Sequence, residues 1–145
     1  TLSSRPDDAV ALYNLGRALV AERHEAEAVQ VWRGALTARP GSLSVLVDMA
    51  WLLATNASVQ NPNAAATFAE KANQISSGGN PEVLDVLAGA YASQGRLDLA
   101  ARTAQRAFQR ALAMKNDRLA GEIRQRLEAY QDAAGQAESS ERPRR

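Results

Sequence analysis

Pro6 and Pro40 are separated by one period of about 34 residues, a length typical of helical repeats. The residues between them recur further along the chain at matching offsets. A period of this size points to a stack of paired helices, none of which can bury its apolar side alone, with a plain helical bundle as the rival reading. The spacing of apolar residues decides for helices. Leu12, Leu15 and Leu19 share one helical face by the i, i+3, i+7 rule. Ala28, Trp32 and Ala35 do the same on a second segment. A turn is expected near Glu22-Arg23-His24. Pro40 cannot continue a helix, so it closes the unit. Gly16 and Ala28 are small, which lets two antiparallel helices approach closely.

The pattern returns twice. Leu84, Leu87, Ala88 and Tyr91 form one helix face, Gly95 suits a helix end, and Ala100, Ala104 and Ala107 follow. The step from Gly16 to Ala28 equals the step from Ala88 to Ala100. Between these two units lies an irregular one. It has Leu46, Met49, Ala50 and Leu53, then Ala65, Ala69 and Ala72. Its step from Ala50 to Ala65 is longer than the other two by almost one helical turn. The surplus falls in the polar stretch 55–63, a longer loop, with Pro62 expected in the first turn of the following helix. The exit loop, 76–81, is also long. After the third unit Leu119, Ile123, Leu127 and Tyr130 lie at helical spacing behind Asp117, a candidate cap. Glu122, Arg124, Arg126 and Glu128 supply the wet side of that helix.

Composition agrees. Apolar residues are 46% but aromatics only 5%, alanine is abundant and β-branched residues are sparse. Such a chain packs helices through small side chains. Net charge is +1, which provides no electrostatic drive toward nucleic acid or an acidic membrane. There is no cysteine, so disulfides and thiolate chemistry are excluded. No apolar run approaches the roughly 18 residues that a membrane span needs.

These motifs resemble the tetratricopeptide (TPR) repeat. Leu12, Leu15, Gly16 and Leu19 fit W-x2-L-G-x2-Y with leucine in both aromatic places. The middle unit resembles a divergent subtype carrying Trp-Leu-Leu-Ala-Thr, here Trp51 to Thr55. The resemblance covers residues 7–114 and implies an all-α, right-handed solenoid. Its parts would be the end of a preceding repeat (1–6), repeats at 7–41, 42–80 and 81–114, a capping helix at 115–133, and a flexible tail at 134–145. Thr1-Leu2 before Pro6 aligns with Ala35-Leu36 before Pro40, so an upstream unit and a larger parent protein are expected.

The resemblance also implies a concave groove lined by each first helix. The groove places are Val10, Tyr13, Arg17, Val20 and Ala21, then Ser44, Val47, Trp51, Ala54 and Thr55, then Glu82, Asp85, Gly89, Ala92 and Ser93. The expected binding stripe is Tyr13, Arg17, Val47 and Trp51, with Val10 and Asn14 beside it. Glu82 and Asp85 would select a basic feature of the partner. Two readings of Trp51 stand open: a groove anchor, or a side chain packed under the 55–63 loop. Tyr13 is open in the same way, between groove contact and inter-helix packing. Some TPR domains clamp a carboxylate with Lys, Asn and Arg. Here only Arg17 could serve, and Glu82 would repel one. An asparagine ladder is also lacking, because Asp48 and Val86 follow Asn14 at that place.

Catalytic constellations are not expected. His24, the one histidine, sits in a turn with Glu25 and Glu27 and has too few ligand partners for a metal. Asp7 and Asp8 suit a helix start. Ser77-Gly78-Gly79 is too short for a phosphate loop. The late arginines at 118, 124, 126, 142, 144 and 145 are interleaved with glutamates and read as a solvated face. The expected function is therefore a scaffold that binds a protein or peptide partner. It is expected to be no enzyme, to hold no cofactor or metal, to bind no nucleic acid and not to insert directly into a membrane. Self-association, or packing inside a larger protein that could itself be catalytic, is the alternative. The alanine and arginine bias suggests a GC-rich bacterial genome.

Overall fold

The computed structural model describes residues 6–141. The expected remnant of a preceding unit therefore lies outside the described residues, apart from Pro6. Among those described there are seven helices and no strand: α1 (Pro6–Ala21), α2 (Glu25–Ala38), α3 (Leu43–Thr55), α4 (Pro62–Ile75), α5 (Pro81–Ser93), α6 (Leu97–Ala113) and α7 (Asp117–Glu141). None is long and apolar enough to cross a membrane. Consecutive helices pair as α1 with α2, α3 with α4 and α5 with α6. α5 also packs on α3 and α4, and α7 packs on α6.

Helix ends repeat along with helix faces. His24 N–H donates to Leu19 O at 2.7 Å, and Arg96 N–H donates to Tyr91 O at 3.0 Å. The two bonds hold equivalent places in the first and third hairpins. Each reaches back five positions, closing a helix with its spare carbonyl satisfied. Gly78 to Asn73 and Asn116 to Ala111 are the same bond, each at 2.9 Å. This closure needs a left-handed residue just before the donor. Gly95 supplies it freely at φ 78°, whereas Arg23, Ser77 and Lys115 adopt it at φ 64°, 62° and 59° at some steric cost.

Periodicity alone pairs Gly16 with Ala28, but the side chain lying over Gly16 is Trp32. A Cβ on Gly16 would stand 2.0 Å from Trp32 Nε1. The indole is 3% exposed, donates to Tyr13 O at 3.1 Å, and stacks on the Tyr13 ring with centroids 6.3 Å apart. In the third hairpin the same two places hold Ala88 and Ala104, both fully buried. The large side chain in the first hairpin is thus matched by the removal of a small one.

The longer loop of the second hairpin is well tied down. Asn61 N–H donates to Leu53 O at 2.9 Å, Val59 packs against the main core, and the Asn61 side chain accepts from Ala64 N at 3.2 Å. Pro62 sits in the first turn of α4 as expected. The exit loop is held from α6, where Arg110 Nε donates to Gly79 O at 3.1 Å and Arg106 reaches Gly78 O.

α7 buries Ala120, Ile123 and Leu127 against Leu84, Ala88, Ala104, Ala107 and Ala111. Its cap is Asn116, whose side chain accepts from Leu119 N at 3.2 Å; Asp117 is already helical. The helix also continues to Glu141, through residues that lack apolar period and that sequence assigns to a tail. Ala133, Ala134, Gln136, Ala137 and Glu138 are good helix formers, and one glycine does not outweigh them. Ala134 and Ala137 lie beside Gly95 and Leu97 at the α5–α6 turn.

Candidate functional site: a cleft between the first and third helices

A cleft of about 400 Å³ opens where the first and second hairpins meet. One wall is α1, through Arg17 and Val20. The opposite wall is α3, through Asp48, Trp51 and Thr55, with Asn56 just beyond. Trp32 and Leu52 lie between them. The volume lies within the ordinary range for small-ligand sites, roughly 300–1,000 Å³.

Tyr13 joins the two walls without lining the cleft. Its ring stacks on Trp32 and its hydroxyl donates to Asp48 Oδ2 at 2.7 Å. The Arg17 guanidinium stands 5.8 Å from the Tyr13 ring centroid, a cation–π arrangement. Burial, the hydrogen bond to Asp48 and its negative charge push the Tyr13 phenol up to about 12, against a smaller opposing pull from Arg17. Of the two sequence readings of Tyr13, the contacts to Trp32 and Asp48 are those of inter-helix packing.

Trp51 is 37% exposed. Its ring turns toward α5, where a Cβ on Gly89 would stand 3.1 Å from Trp51 Cζ3. The Arg126 guanidinium of α7 lies 5.7 Å from the Trp51 ring centroid. The indole therefore faces across the first helices, while Val59 and backbone bonds secure the 55–63 loop.

The other expected site residues are scattered. Val47 is half-buried in the core between hairpins. Val10, at 53% exposed, and Asn14 lie on α1 away from the cleft. Glu82 is exposed in the first turn of α5. Asp85 lies largely buried on α5. It is 7% exposed, and Arg126 grips both of its oxygens, Nε to Oδ1 at 2.8 Å and Nη2 to Oδ2. Both oxygens are thus engaged within the chain, which leaves Asp85 poorly placed to select a basic partner group. Sequence placed Arg126 on the wet side of the last helix because its helical phase is polar; α7 instead lays it over α5.

Trp32, Asp48, Leu52 and Asn56 were not singled out by sequence as site residues. Asp48 had a signal, because it stands one period after Asn14. His24 lies at the start of α2 with Nδ1 3.7 Å from Glu27 Oε1. Among the described residues no three His, Asp or Glu side chains gather as a metal site would require.

The remaining tyrosines behave like Tyr13. Burial, then the Glu70 charge and hydrogen bond, raise Tyr91, whose hydroxyl donates to Glu70 Oε1 at 3.1 Å. Burial and the Asp85 charge raise Tyr130. These three are all the tyrosines in the chain. A raised phenol holds its proton more tightly in the folded state. Its contribution to stability is full below the unfolded value of about 10 and is lost as pH climbs toward the folded one. Ultraviolet titration of the folded chain should therefore show tyrosinate less than half formed at pH 10, with Tyr13 ionising only nearer pH 12. Ordinary half-ionisation at pH 10 with helices intact would contradict this picture.

No family model matches this chain, and no curated protein matches it.

Proposed function

We propose that this chain is a protein-interaction module of the TPR type. Three helical hairpins and a closing helix form a right-handed solenoid, and a peptide or helix of a partner lies along the face made by α1 and α3. No reaction is catalysed. The observation that carries this reading is the cleft beside Trp51, a large aromatic left 37% exposed on a helix whose other apolar residues are mostly buried. An indole offers a large contact area at little rotamer cost, which suits an anchor. Arg17 at the opposite rim adds a charged group with no ion-pair partner among the described contacts.

Selection of a random peptide library on the whole chain tests the reading. Peptides recovered should lose affinity about tenfold or more with Trp51→Ala, worth about 1.4 kcal/mol, while the melting temperature changes little. Selected peptides that ignore Trp51→Ala while the melting temperature drops would make Trp51 a core residue. A second reading, self-association or packing within a larger protein, draws on Val10 and Leu15, which are 53% and 49% exposed on α1.

A further inference from the structure

The first helix of a hairpin carries one apolar position that is covered by the hairpin before it. On α3 this is Met49 and on α5 it is Leu87, 0% and 4% exposed. Both belong to the cluster that spans the three hairpins. The equivalent position on α1 is Leu15, one period ahead of Met49 and two hairpins ahead of Leu87. Leu15 is 49% exposed. One exposed leucine means little by itself, but its neighbours repeat the difference. Ala11 is exposed where Val45 and Val83 are each 1% exposed. Asn14 is exposed where Asp48 accepts the hydroxyl of Tyr13, a residue of the preceding first helix, at 2.7 Å. The interface that joins successive hairpins thus continues onto α1 and is left open there.

The far end of the array is different. The outward side of α7 is charged, with Arg118 paired to Glu122 at 3.5 Å and Arg124 and Glu128 exposed.

We propose that α1 receives a further helical hairpin, stacked ahead of Pro6 in the register that separates Leu15 from Met49. Leu15 is buried between its two helices, and Asn14 bonds a polar side chain at the place Tyr13 holds in the next unit. The occupant's second helix carries small residues on this side, as Ala35, Ala69 and Ala72 do at 0%, 1% and 0% exposed. A second copy of the chain does not offer such a side, because the equivalent sides of its three hairpins are covered by α3, α5 and α7. The residues ahead of Pro6 keep the register in sequence, Thr1-Leu2 matching Ala35-Leu36.

The test lengthens the chain with a second copy of residues 6–39 joined directly to Pro6. Leu15→Ser should then lower the melting temperature by about 6 °C or more, as loss of a buried leucine does. In the unlengthened chain the same substitution should move it by about 1 °C or less, as at exposed sites. Equally small shifts in both chains would overturn the proposal. So would an unlengthened chain that sediments as a dimer and is dissociated by Leu15→Ser, since the face would then belong to a second copy.

Discussion

Gly16→Ala is expected to destabilise the chain by about 2 kcal/mol, within the usual range for overpacking a core. The sign is the informative part. Glycine inside a helix is normally worse than alanine by roughly 0.5–1 kcal/mol, so the exchange ordinarily stabilises. At Gly16 the new methyl would stand 2.0 Å from Trp32 Nε1 and 2.4 Å from its Cδ1. Trp32 cannot swing aside cheaply. It is 3% exposed, its N–H is spent on Tyr13 O, and its ring stacks on Tyr13. Moving it would also disturb the Tyr13–Asp48 bond that ties the first hairpin to the second. Gly121 in α7 is the control, because nothing lies within 4 Å of its added Cβ. Gly121→Ala should stabilise by the ordinary helix increment of about 0.5–1 kcal/mol. Urea unfolding of the two variants decides the matter; a stabilising Gly16→Ala would mean that Trp32 lies elsewhere.

Arg126→Met should cost about 2–3 kcal/mol, because removing one partner of a buried ion pair strands the other charge. The full cost is roughly 3–5 kcal/mol when both partners are fully buried. Here the Asp85 side chain is 9% exposed but that of Arg126 is 31% exposed, so solvent reduces the loss. The hydrogen bond to Asp85 and its charge hold the guanidinium above its ordinary value in spite of burial. The substitution also removes the cation facing Trp51. Pairing it with Asp85→Leu should recover much of the loss, because two apolar groups leave no orphaned charge. A single-variant cost under about 0.5 kcal/mol would place the pair among surface salt bridges of little consequence.

Much of this architecture is legible from small residues. The recurring alanines at 28, 35, 65, 69, 72, 100, 104 and 107 are all buried within 1% of zero, because helices approach most closely where side chains end at Cβ. The turns are legible at Gly95, which glycine marks, and at 22–24, and less so at Lys115, where a left-handed residue carries a full side chain. The site is harder to read. Trp51 stands out as a large aromatic among groove places, but its neighbours come from distant helices. Asp85 reads as a free acid until α7, far along the sequence, is laid over α5. A helix-face pattern records which residues are polar, and it does not record which polar residues find one another across the array. The same limit hides the continuation of α7, where local propensity outlasts the apolar period.

Helical hairpins are laid side by side in step with the sequence period, with Trp32 seated on Gly16 in the first. The chain has two tryptophans, so its indole N–H spectrum is simple, and Trp51→Phe assigns it. A nuclear Overhauser spectrum should show a strong contact between the Trp32 indole N–H and the Gly16 α-protons, with slow solvent exchange of that N–H. An indole that exchanges freely and shows no contact with Gly16 would contradict the account.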